Sequence, residues 1–233
     1  MKKKVVTMSV EAGCLLFFVK SPGQTPVKSR LVRSIGIARA TALYRLFVLD
    51  MLDTLGDVLK ETGYALRICF TPPEAGEAMK DWLGDAYAYL PQQGKDLGER
   101  MKNAFVAGFS EGYPHVLLLG SDSPDLPAPF IKEGVRQLFH QGAVIGPAFD
   151  GGYYLIGFRA EAFLPAVFQG IAWSTGTVLQ ETMKIFAAAA APVTLLSPWY
   201  DIDTLEDLQR LPERWRQAGR LPPPRTVRYL LEG

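Results

Sequence analysis

The chain contains very few cysteine and histidine residues. Its 233 residues include two of each. Cys14 and Cys69 each lie inside an apolar run, where a thiol behaves as a small buried hydrophobic group, so the sequence predicts neither a disulfide framework nor a cysteine metal site. His115 and His140 have no paired nucleophile nearby in the sequence. No Ser-His-Asp or Cys-His catalytic pattern is therefore predicted.

The chain also lacks an excess of charge of either sign. Lysine and arginine number 25 against 24 aspartate and glutamate residues, for a net charge of +1. Nucleic acids and acidic membrane surfaces attract proteins that carry a concentrated surplus of basic side chains. The composition therefore predicts no nucleic-acid partner, and any basic chemistry must be local.

Long apolar runs are missing as well. No stretch reaches about 18 consecutive apolar residues, so no transmembrane segment is expected. The apolar run 12–19 follows a basic start at residues 1–4, but Glu11 precedes it, Lys20 ends it, and no small-residue cleavage site follows. We therefore expect a cytoplasmic protein. No pattern indicates an oligomeric state.

What the chain does contain is the balance of an ordinary globular protein, with 48% hydrophobic and 21% charged residues. It shows no internal repeat and no dividing linker, so we expect one domain over residues 1–233. Short apolar segments alternate with helical patterns, which predicts an α/β fold with a mostly parallel sheet. The predicted strands are 14–19, 64–70, 86–90, 115–119, 143–148, 153–158 and 193–196.

The predicted helices begin and end at recognisable capping residues. Gly63 ends the first helix and Asp96 begins another, while Ser174 and Asp203 are predicted to cap two later helices. The predicted helices are 37–61, 74–83, 96–110, 130–139, 174–190 and 203–217.

Two features predict departures from a plain alternation of strands and helices. Strand 153–158 follows strand 143–148 too closely for a crossover helix, which indicates an irregular or antiparallel insertion. Three consecutive prolines at 222–224 predict an irregular tail. We therefore expect a mixed sheet followed by an irregular C-terminal segment.

A basic stretch, VKSPGQTPVKSR, includes the end of the first predicted strand and the residues after it. Its glycine and prolines favour irregular backbone, and Lys20, Lys28 and Arg30 supply cations that suit a diphosphate or triphosphate. Neither the GxxxxGK[ST] nor the GxGxxG spacing is present, so the stretch is not a P-loop or a dinucleotide fingerprint. A solvated basic loop is the alternative interpretation.

Acidic side chains lie near the ends of predicted strands. Asp122 comes directly after a buried strand and is placed to ligate Mg²⁺ or Mn²⁺, which prefer oxygen donors, although it could also shape a turn. Asp125 is interpreted as a helix cap. Asp201 and Asp203 would share one side of an extended segment, which suits a shared metal ion, but Asp203 with Glu206 also matches a capping box.

Asp150 stands before two glycines in PAFDGGYYLIGF. Gly151 and Gly152 allow the backbone to approach a ligand closely, and the carboxylate suits a catalytic base or a contact to a donor. Asp-Gly between apolar runs is also a strong hairpin signal. Both interpretations are compatible, since a turn can present the site that it builds.

Two further loops carry candidate binding residues. In QQGKDLGER, backbone groups at Gly94 and Gly98 and the side chain of Arg100 are available to a nucleotide base, sugar or phosphate. In IAWSTGTVL, Trp173 and Ser174 lie at a predicted helix start, where backbone N–H groups favour an anion. Packing of Trp173 in the core is the alternative.

Six blocks, in chain order, resemble the successive motifs of a bacterial family. The family is glycosyltransferase A-like, also called radical-SAM/selenodomain-associated transferase, and is assigned to the nucleotide-diphospho-sugar transferase superfamily. The resemblance implies a Rossmann-like α/β/α sandwich of the GT-A type. The blocks are FFVKSPGQTPVKSRL, QQGKDLGERM, LLGSDSPDLP, GPAFDGGYYLIGF, IAWSTGTVLQETM and DIDTLEDLQRL.

The resemblance also implies a function and a set of site residues. The expected function is metal-dependent transfer of a sugar from a nucleotide-diphospho-sugar to a small-molecule acceptor. The chain departs from the family pattern at Thr25-Pro26 and at Ala172 and Gly176, which concerns the loops and the acceptor side more than the fold. The implied contacts are Lys28 and Arg30 with nucleotide phosphates, Asp122, Asp201 and Asp203 with Mg²⁺ or Mn²⁺, and Asp150, Gly151 and Gly152 with the transferred group.

Two alternative functions remain open from the sequence. Nucleotidyltransferases that act on 2-phospholactate or molybdopterin share the superfamily fold, and they join a nucleoside triphosphate to a small acceptor with release of pyrophosphate. A non-catalytic nucleotide-binding module is the second alternative. Retention of Asp122, Asp150 and Asp203 argues against that module, because clustered carboxylates repel one another when no cation lies between them.

Overall fold

The computed structural model describes residues 13–218 and 222–232. The basic start at 1–4 and Glu11, which bear on the prediction that the chain has no signal segment, lie outside the described residues. The seven strands of the described chain are β1 Gly13–Lys20, β2 Ala65–Thr71, β3 Ala88–Pro91, β4 His115–Leu119, β5 Ala143–Pro147, β6 Tyr153–Arg159 and β7 Thr194–Leu195.

Helices connect most of these strands. None of the helices in the described ranges is both long enough and apolar enough to cross a bilayer. The α-helices are α1 Ser29–Ile35, α2 Ile37–Thr62, α3 Gly76–Leu83, α4 Leu97–Ser110, α5 Ala128–His140, α6 Val178–Ala188, α7 Leu205–Ala218 and α8 Arg225–Glu232.

The strands form a single mixed sheet in the order β3-β2-β1-β4-β6-β5-β7. Strand β6 runs antiparallel to its neighbours β4 and β5, and the other neighbouring pairs are parallel. The predicted α/β fold with a mostly parallel mixed sheet is confirmed, and so is the antiparallel insertion. A turn at 148–152 joins β5 to β6, as the Asp-Gly hairpin signal predicts.

Helices cover both faces of the sheet. On β1, Leu15 and Phe17 belong to a core cluster that includes residues of α2 and α5, whereas Leu16 packs with Phe105 and Phe186 of α4 and α6. Successive side chains of a strand point to opposite faces, so a strand covered on both sides must be apolar throughout. Each such fully buried side chain stabilises the fold by roughly 1.5–3 kcal/mol relative to exposure. The result is an α/β/α sandwich.

Helices α1 and α8, which the sequence analysis does not predict, join α7 in a third cluster beside α2. Its members include Leu31, Phe47, Leu208 and Val227. Helix α8 follows the irregular prolines at 222–224. Its first turn is held by a carboxylate of α2, because Asp50 accepts hydrogen bonds from two backbone N–H groups of α8 at 2.7 and 2.9 Å. Since these helices are stabilised by tertiary contacts, local patterns did not reveal them.

The predicted helix caps at Ser174 and Asp203 are wrong. Helix α6 begins at Val178, and Ser174 lies in the preceding loop with a left-handed backbone (φ 66°). Helix α7 is capped by Thr204, whose Oγ1 accepts the N–H of Asp207 at 3.2 Å, while the Asp207 carboxylate accepts the N–H of Thr204 at 2.8 Å. The capping box is therefore displaced by one residue, and the Asp203 carboxylate makes other contacts.

Candidate functional site

A cavity of about 510 Å³ lies at the carboxyl edge of the sheet. The carboxyl ends of parallel strands meet at one edge, so loops that are distant in sequence converge there. Gly94, Gly98 and Gly151 do not line the cavity. The predicted site residues that do are Lys20, Lys28, Arg30, Arg100, Asp122, Asp150, Gly152, Trp173, Ser174, Asp201 and Asp203.

Three carboxylates form a compact acidic cluster in this cavity. Asp150, Asp201 and Asp203 each offer one oxygen atom, and these atoms all lie within 4.8 Å of one another. Asp150 is exposed, and its Oδ1 accepts the backbone N–H of Gly152 at 2.8 Å, which fixes the carboxylate in the hairpin turn. Three hard oxygen donors at this spacing are chemically suited to Mg²⁺ or Mn²⁺. The structure thus brings Asp150 to the pair that the sequence predicts.

The electrostatics of the acidic cluster favour a bound cation. Burial, and then the negative charges of Asp150 and Asp203, raise the pKa of Asp201 to about 7. A raised pKa means that the ionised form of Asp201 is disfavoured where no cation compensates for its neighbours. A divalent ion would supply that charge, so these three residues fit the metal that the sequence predicts.

Asp122 lies beside Lys28. Its Oδ1 is 2.5 Å from Nζ of Lys28, and Oδ1 of Asp203 is 3.0 Å from the same nitrogen. Burial opposes the charge of Lys28, but the two carboxylates outweigh it and raise the pKa of Lys28. Partial burial opposes ionisation of Asp122, and the positive charge of Lys28 outweighs this effect and lowers the pKa of Asp122. Because the Asp122 side chain is 54% exposed, solvent screens this effect.

Other basic side chains line the same cavity. Lys20 is exposed at the end of β1. Arg30 lies in helix α1, where the sequence predicted irregular backbone, and its Nη1 is 3.5 Å from Oδ2 of Asp203. Nε of Arg100 donates to the carbonyl oxygen of Gly94 at 3.2 Å. Phosphate oxygens are natural partners for such cations, so the cavity has the charge pattern of a site for a phosphorylated ligand.

Two of the predicted glycines pack behind the cavity. Gly151 has φ 92°, and a Cβ atom there would lie 2.1 Å from the carbonyl oxygen of Gly176. Gly98 lies in α4, where a Cβ would lie 2.2 Å from the carbonyl oxygen of Phe168 and 2.7 Å from Nε1 of Trp173. Both positions require glycine for close contact between chain segments. The turn that carries Asp150 is therefore docked on the loop that carries Gly176.

The loop that contains Ser174 is held by hydrogen bonds that the sequence analysis missed. Glu181 of α6 accepts the N–H of Ala172 at 3.0 Å and the hydroxyl of Thr177 at 2.8 Å. These hydrogen bonds, from Ala172 first and then Thr177, lower the pKa of Glu181. Thr175 Oγ1 also donates to the carbonyl oxygen of Ala172 at 2.7 Å. The spacing of Thr177 and Glu181, four residues apart, is the feature of the sequence that could have indicated their hydrogen bond.

Tyr44 is another residue that the sequence analysis missed. It lies in α2 within an apolar stripe, yet its hydroxyl accepts the N–H of Lys20 at 2.8 Å and lies 3.0 Å from Oγ of Ser121. The three residues line the cavity. This hydroxyl joins the end of β1 to the loop after β4. A tyrosine in a buried helix stripe usually packs in the core, so no local pattern distinguishes Tyr44 as a site residue.

The sequence analysis interpreted Asp125 as the cap of helix α5, and the structure shows that this interpretation is wrong. The N-cap position is Pro127, which makes no side-chain cap. Instead, the Asp125 carboxylate accepts hydrogen bonds from Nε1 of Trp199 at 3.3 Å and from Nε of Arg214 at 3.1 Å. Nearby, the N–H of Ile202 donates to the carbonyl oxygen of Asp122 at 2.9 Å. The loop after β4 is thus bound to the segment that precedes α7.

Comparisons with solved structures agree with this architecture. A crystal structure from Desulfovibrio desulfuricans G20, provisionally described as a nucleotide-diphospho-sugar transferase, is 43% identical, with 94% of each chain covered and a TM-score of 0.87. A CMP:2-keto-3-deoxy-manno-octonic acid synthetase complexed with CTP is 8% identical, with 89% of this chain and 99% of that chain covered and a TM-score of 0.55.

A third structure is 4-diphosphocytidyl-2C-methyl-D-erythritol synthase from Anaerococcus prevotii DSM 20548. It is 14% identical, with 84% of this chain and 95% of that chain covered and a TM-score of 0.54. At 8% and 14% identity, the likeness to the two synthases shows the fold alone.

The family comparison covers about half of the chain. No curated protein matches the chain. A family model described as "Uncharacterized protein conserved in bacteria (DUF2064)" matches residues 54–175. Together with the 43% identity to the Desulfovibrio protein, this match shows that the chain belongs to the DUF2064 family and has the fold of nucleotide-diphospho-sugar transferases.

Proposed function

We propose that the protein is a metal-dependent transferase that takes a sugar from a nucleotide-diphospho-sugar and passes it to a small-molecule acceptor. The observation that carries this proposal is that the acidic cluster and the basic side chains Lys20, Arg30 and Arg100 line one cavity. A diphosphate is anionic and is bound best by a divalent cation and basic groups together. The description of the Desulfovibrio relative supports the choice of a nucleotide-sugar donor.

Each charged residue has a separate role in this proposal. Asp150, Asp201 and Asp203 would hold Mg²⁺ or Mn²⁺, and a bound ion would supply positive charge to offset the negative charge of the departing diphosphate. The basic residues contact the phosphates from the other loops. The sequence counted Asp122 among the metal ligands and Lys28 among the phosphate contacts, but their short ion pair favours mutual neutralisation.

The proposed reaction exchanges one bond to the anomeric carbon for another. The bond between that carbon and the diphosphate oxygen breaks, the acceptor hydroxyl oxygen bonds to the carbon, and the hydroxyl proton passes to the departing diphosphate or to a carboxylate of the site. The sequence assigned Asp150 to proton transfer, and its exposed position would allow that. Its position within the acidic cluster instead favours a metal ligand. The two roles predict different behaviour of the Asp150→Asn variant.

A thermal-melt panel tests the proposal. Nucleoside triphosphates, nucleoside diphosphates and nucleotide-sugars would each be added with and without Mn²⁺, because a ligand at about a hundredfold excess over its Kd stabilises the native state by about 2.7 kcal/mol. We expect Mn²⁺-dependent stabilisation by one nucleotide-sugar and its diphosphate. A response confined to a triphosphate would indicate nucleotidyl transfer, and no response to any of these ligands would contradict a transferase that uses a nucleotide donor.

Turnover of the stabilising donor then separates the two reactions. Sugar transfer releases a nucleoside diphosphate, whereas nucleotidyl transfer releases pyrophosphate. The Asp201→Asn variant tests the metal site, because it removes one charge from the acidic cluster and leaves the basic side chains in place. Undiminished turnover by this variant would contradict the assignment of the metal site.

A further inference from the structure

We infer that Lys28 is a built-in cation that takes the position of a second metal ion, so that the site binds a single divalent cation. This inference rests on the proposed function, because it concerns the metal site of that function. It assigns Lys28 to organising the carboxylates, in place of the phosphate contact that the sequence implied.

The surroundings of the Lys28 ammonium are those of a bound cation. Its side chain is 3% exposed, and Nζ lies 2.5 Å from Oδ1 of Asp122 and 3.0 Å from Oδ1 of Asp203. The ring of Phe47 lies 5.5 Å from the same nitrogen, which is within the range of a cation–π contact. A buried ammonium with two carboxylates and an aromatic face is already neutralised. It therefore needs no phosphate as a partner.

Asp203 connects Lys28 to the proposed metal position. One oxygen of Asp203 accepts from Lys28, and Asp203 is also a member of the acidic cluster with Asp150 and Asp201. In sites with two metal ions, the ions lie about 3.5–4 Å apart and act together as a clamp on the reacting oxygens. Here the ammonium of Lys28 occupies the place on the Asp122 side that such a second ion would take.

The charges also balance with a single divalent ion. The Lys28 ammonium pairs with Asp122 and Asp203, Arg30 lies 3.5 Å from Oδ2 of Asp203, and Asp150 and Asp201 complete the acidic cluster. One divalent ion together with Lys28 and Arg30, the basic side chains that pair with these acids, would neutralise the four carboxylates. A second divalent ion would leave the site positive and would repel Lys28.

The backbone fixes this arrangement. Lys28 has a left-handed conformation (φ 48°, ψ 50°), and its carbonyl oxygen accepts the N–H of Val32 in the first turn of α1. This conformation is sterically unfavourable for a non-glycine residue, and such strain is typical of residues whose side chains are held at functional sites. Asp122 is fixed in turn by the hydrogen bond from Ile202 to its carbonyl oxygen.

The test is the number of Mn²⁺ ions bound by each chain, measured by electron paramagnetic resonance and by calorimetry on the purified full-length protein. We expect one ion in the original protein and two in Lys28→Met, because the vacated position keeps Asp122 and Asp203 as ligands. The double variant Lys28→Met/Asp122→Asn should return to one ion. Lys60→Met, which removes an exposed lysine of α2, is the control and should bind one.

Each outcome has a defined meaning. If Lys28→Met binds one ion, or if the original protein binds two, the inference is wrong and the proposed function stands. If the original protein binds no Mn²⁺ even with nucleotide-sugars present, the metal site of the proposed function is wrong, and the inference with it. If Lys28→Met does not fold, Asp122→Asn decides. We expect its Mn²⁺ affinity to change by less than about threefold, whereas a loss of about tenfold or more, equivalent to about 1.4 kcal/mol, would make Asp122 a ligand and overturn the inference.

Discussion

Asp125 and Arg214 form a nearly buried ion pair, with Nε of Arg214 3.1 Å from Oδ2 of Asp125 and side-chain exposures of 8% and 15% for Asp125 and Arg214. The pair connects the loop after β4 to helix α7. Asp122 lies in that loop and Asp203 just before that helix, so the pair links two of the three chain segments that supply acidic side chains to the cavity.

Replacement of Arg214 by alanine tests this connection. The substitution removes a charged partner from the nearly buried carboxylate of Asp125, so we expect the free energy of unfolding to fall by about 3 kcal/mol. Arg210 lies on the same helix and pairs with Glu206 at the surface. Arg210→Ala is therefore the matched control, with an expected loss below about 1 kcal/mol. Urea denaturation measures both, and equal losses would contradict the structural role.

Gly151→Ala tests the close docking of the hairpin turn on the following loop. The substitution combines a positive φ with a Cβ atom 2.1 Å from the carbonyl oxygen of Gly176, so the two segments must separate. Gly170→Ala is the control, because Gly170 has φ 67° but open space around it. We expect a loss of about 1–2 kcal/mol for Gly170→Ala and a clearly larger one for Gly151→Ala. A similar melting temperature for both variants would contradict the docking.

Asp150→Asn separates the two roles open to this carboxylate. As a metal ligand, Asp150 contributes charge and one oxygen, so the variant should bind Mn²⁺ at least about tenfold more weakly than the original protein. As a proton acceptor alone, it would leave Mn²⁺ affinity unchanged and abolish turnover. We expect the first result. Calorimetric titration with Mn²⁺, with the Asp122→Asn variant as a control, distinguishes them.

The affinity for Mn²⁺ should depend on pH. Because the pKa of Asp201 is raised to about 7, this carboxyl is largely protonated in more acidic solution where no cation is bound, and a metal ion must displace that proton. Affinity should therefore be constant above about pH 8 and fall roughly tenfold for each pH unit below about pH 7. Titrations at several pH values measure this slope. A flat profile down to about pH 5 would contradict the raised pKa.

The fold was predictable because its signals are local. The apolar run after Gly13 is covered by helices on both faces, so it had to be apolar throughout, and β1 emerged clearly from the sequence. Gly63 ends α2 as predicted, with a left-handed backbone (φ 67°) that glycine adopts freely. The short interval between β5 and β6 also predicted their antiparallel pairing.

Capping residues were less predictable than strands. The sequence analysis assigned the cap of α7 to Asp203, with Glu206 three residues later, although Thr204 and Asp207 have the same spacing. The structure selects Thr204, while Asp203 accepts from Lys28 at 3.0 Å. Propensity cannot separate two adjacent capping residues, because the choice depends on whether one of them has a distant partner, as Asp203 has in Lys28.

By itself, the sequence determined the alternation of strands and helices, the mixed sheet and the edge at which polar loops gather. Those features follow from periodicity, glycine and proline positions, and the polarity of strand ends. Only the tertiary structure decided that Asp150 joins Asp201 and Asp203, and that Lys28 lies between Asp122 and Asp203. The physical reason is that these contacts join residues far apart in the chain, and their distances depend on how the sheet and its loops pack.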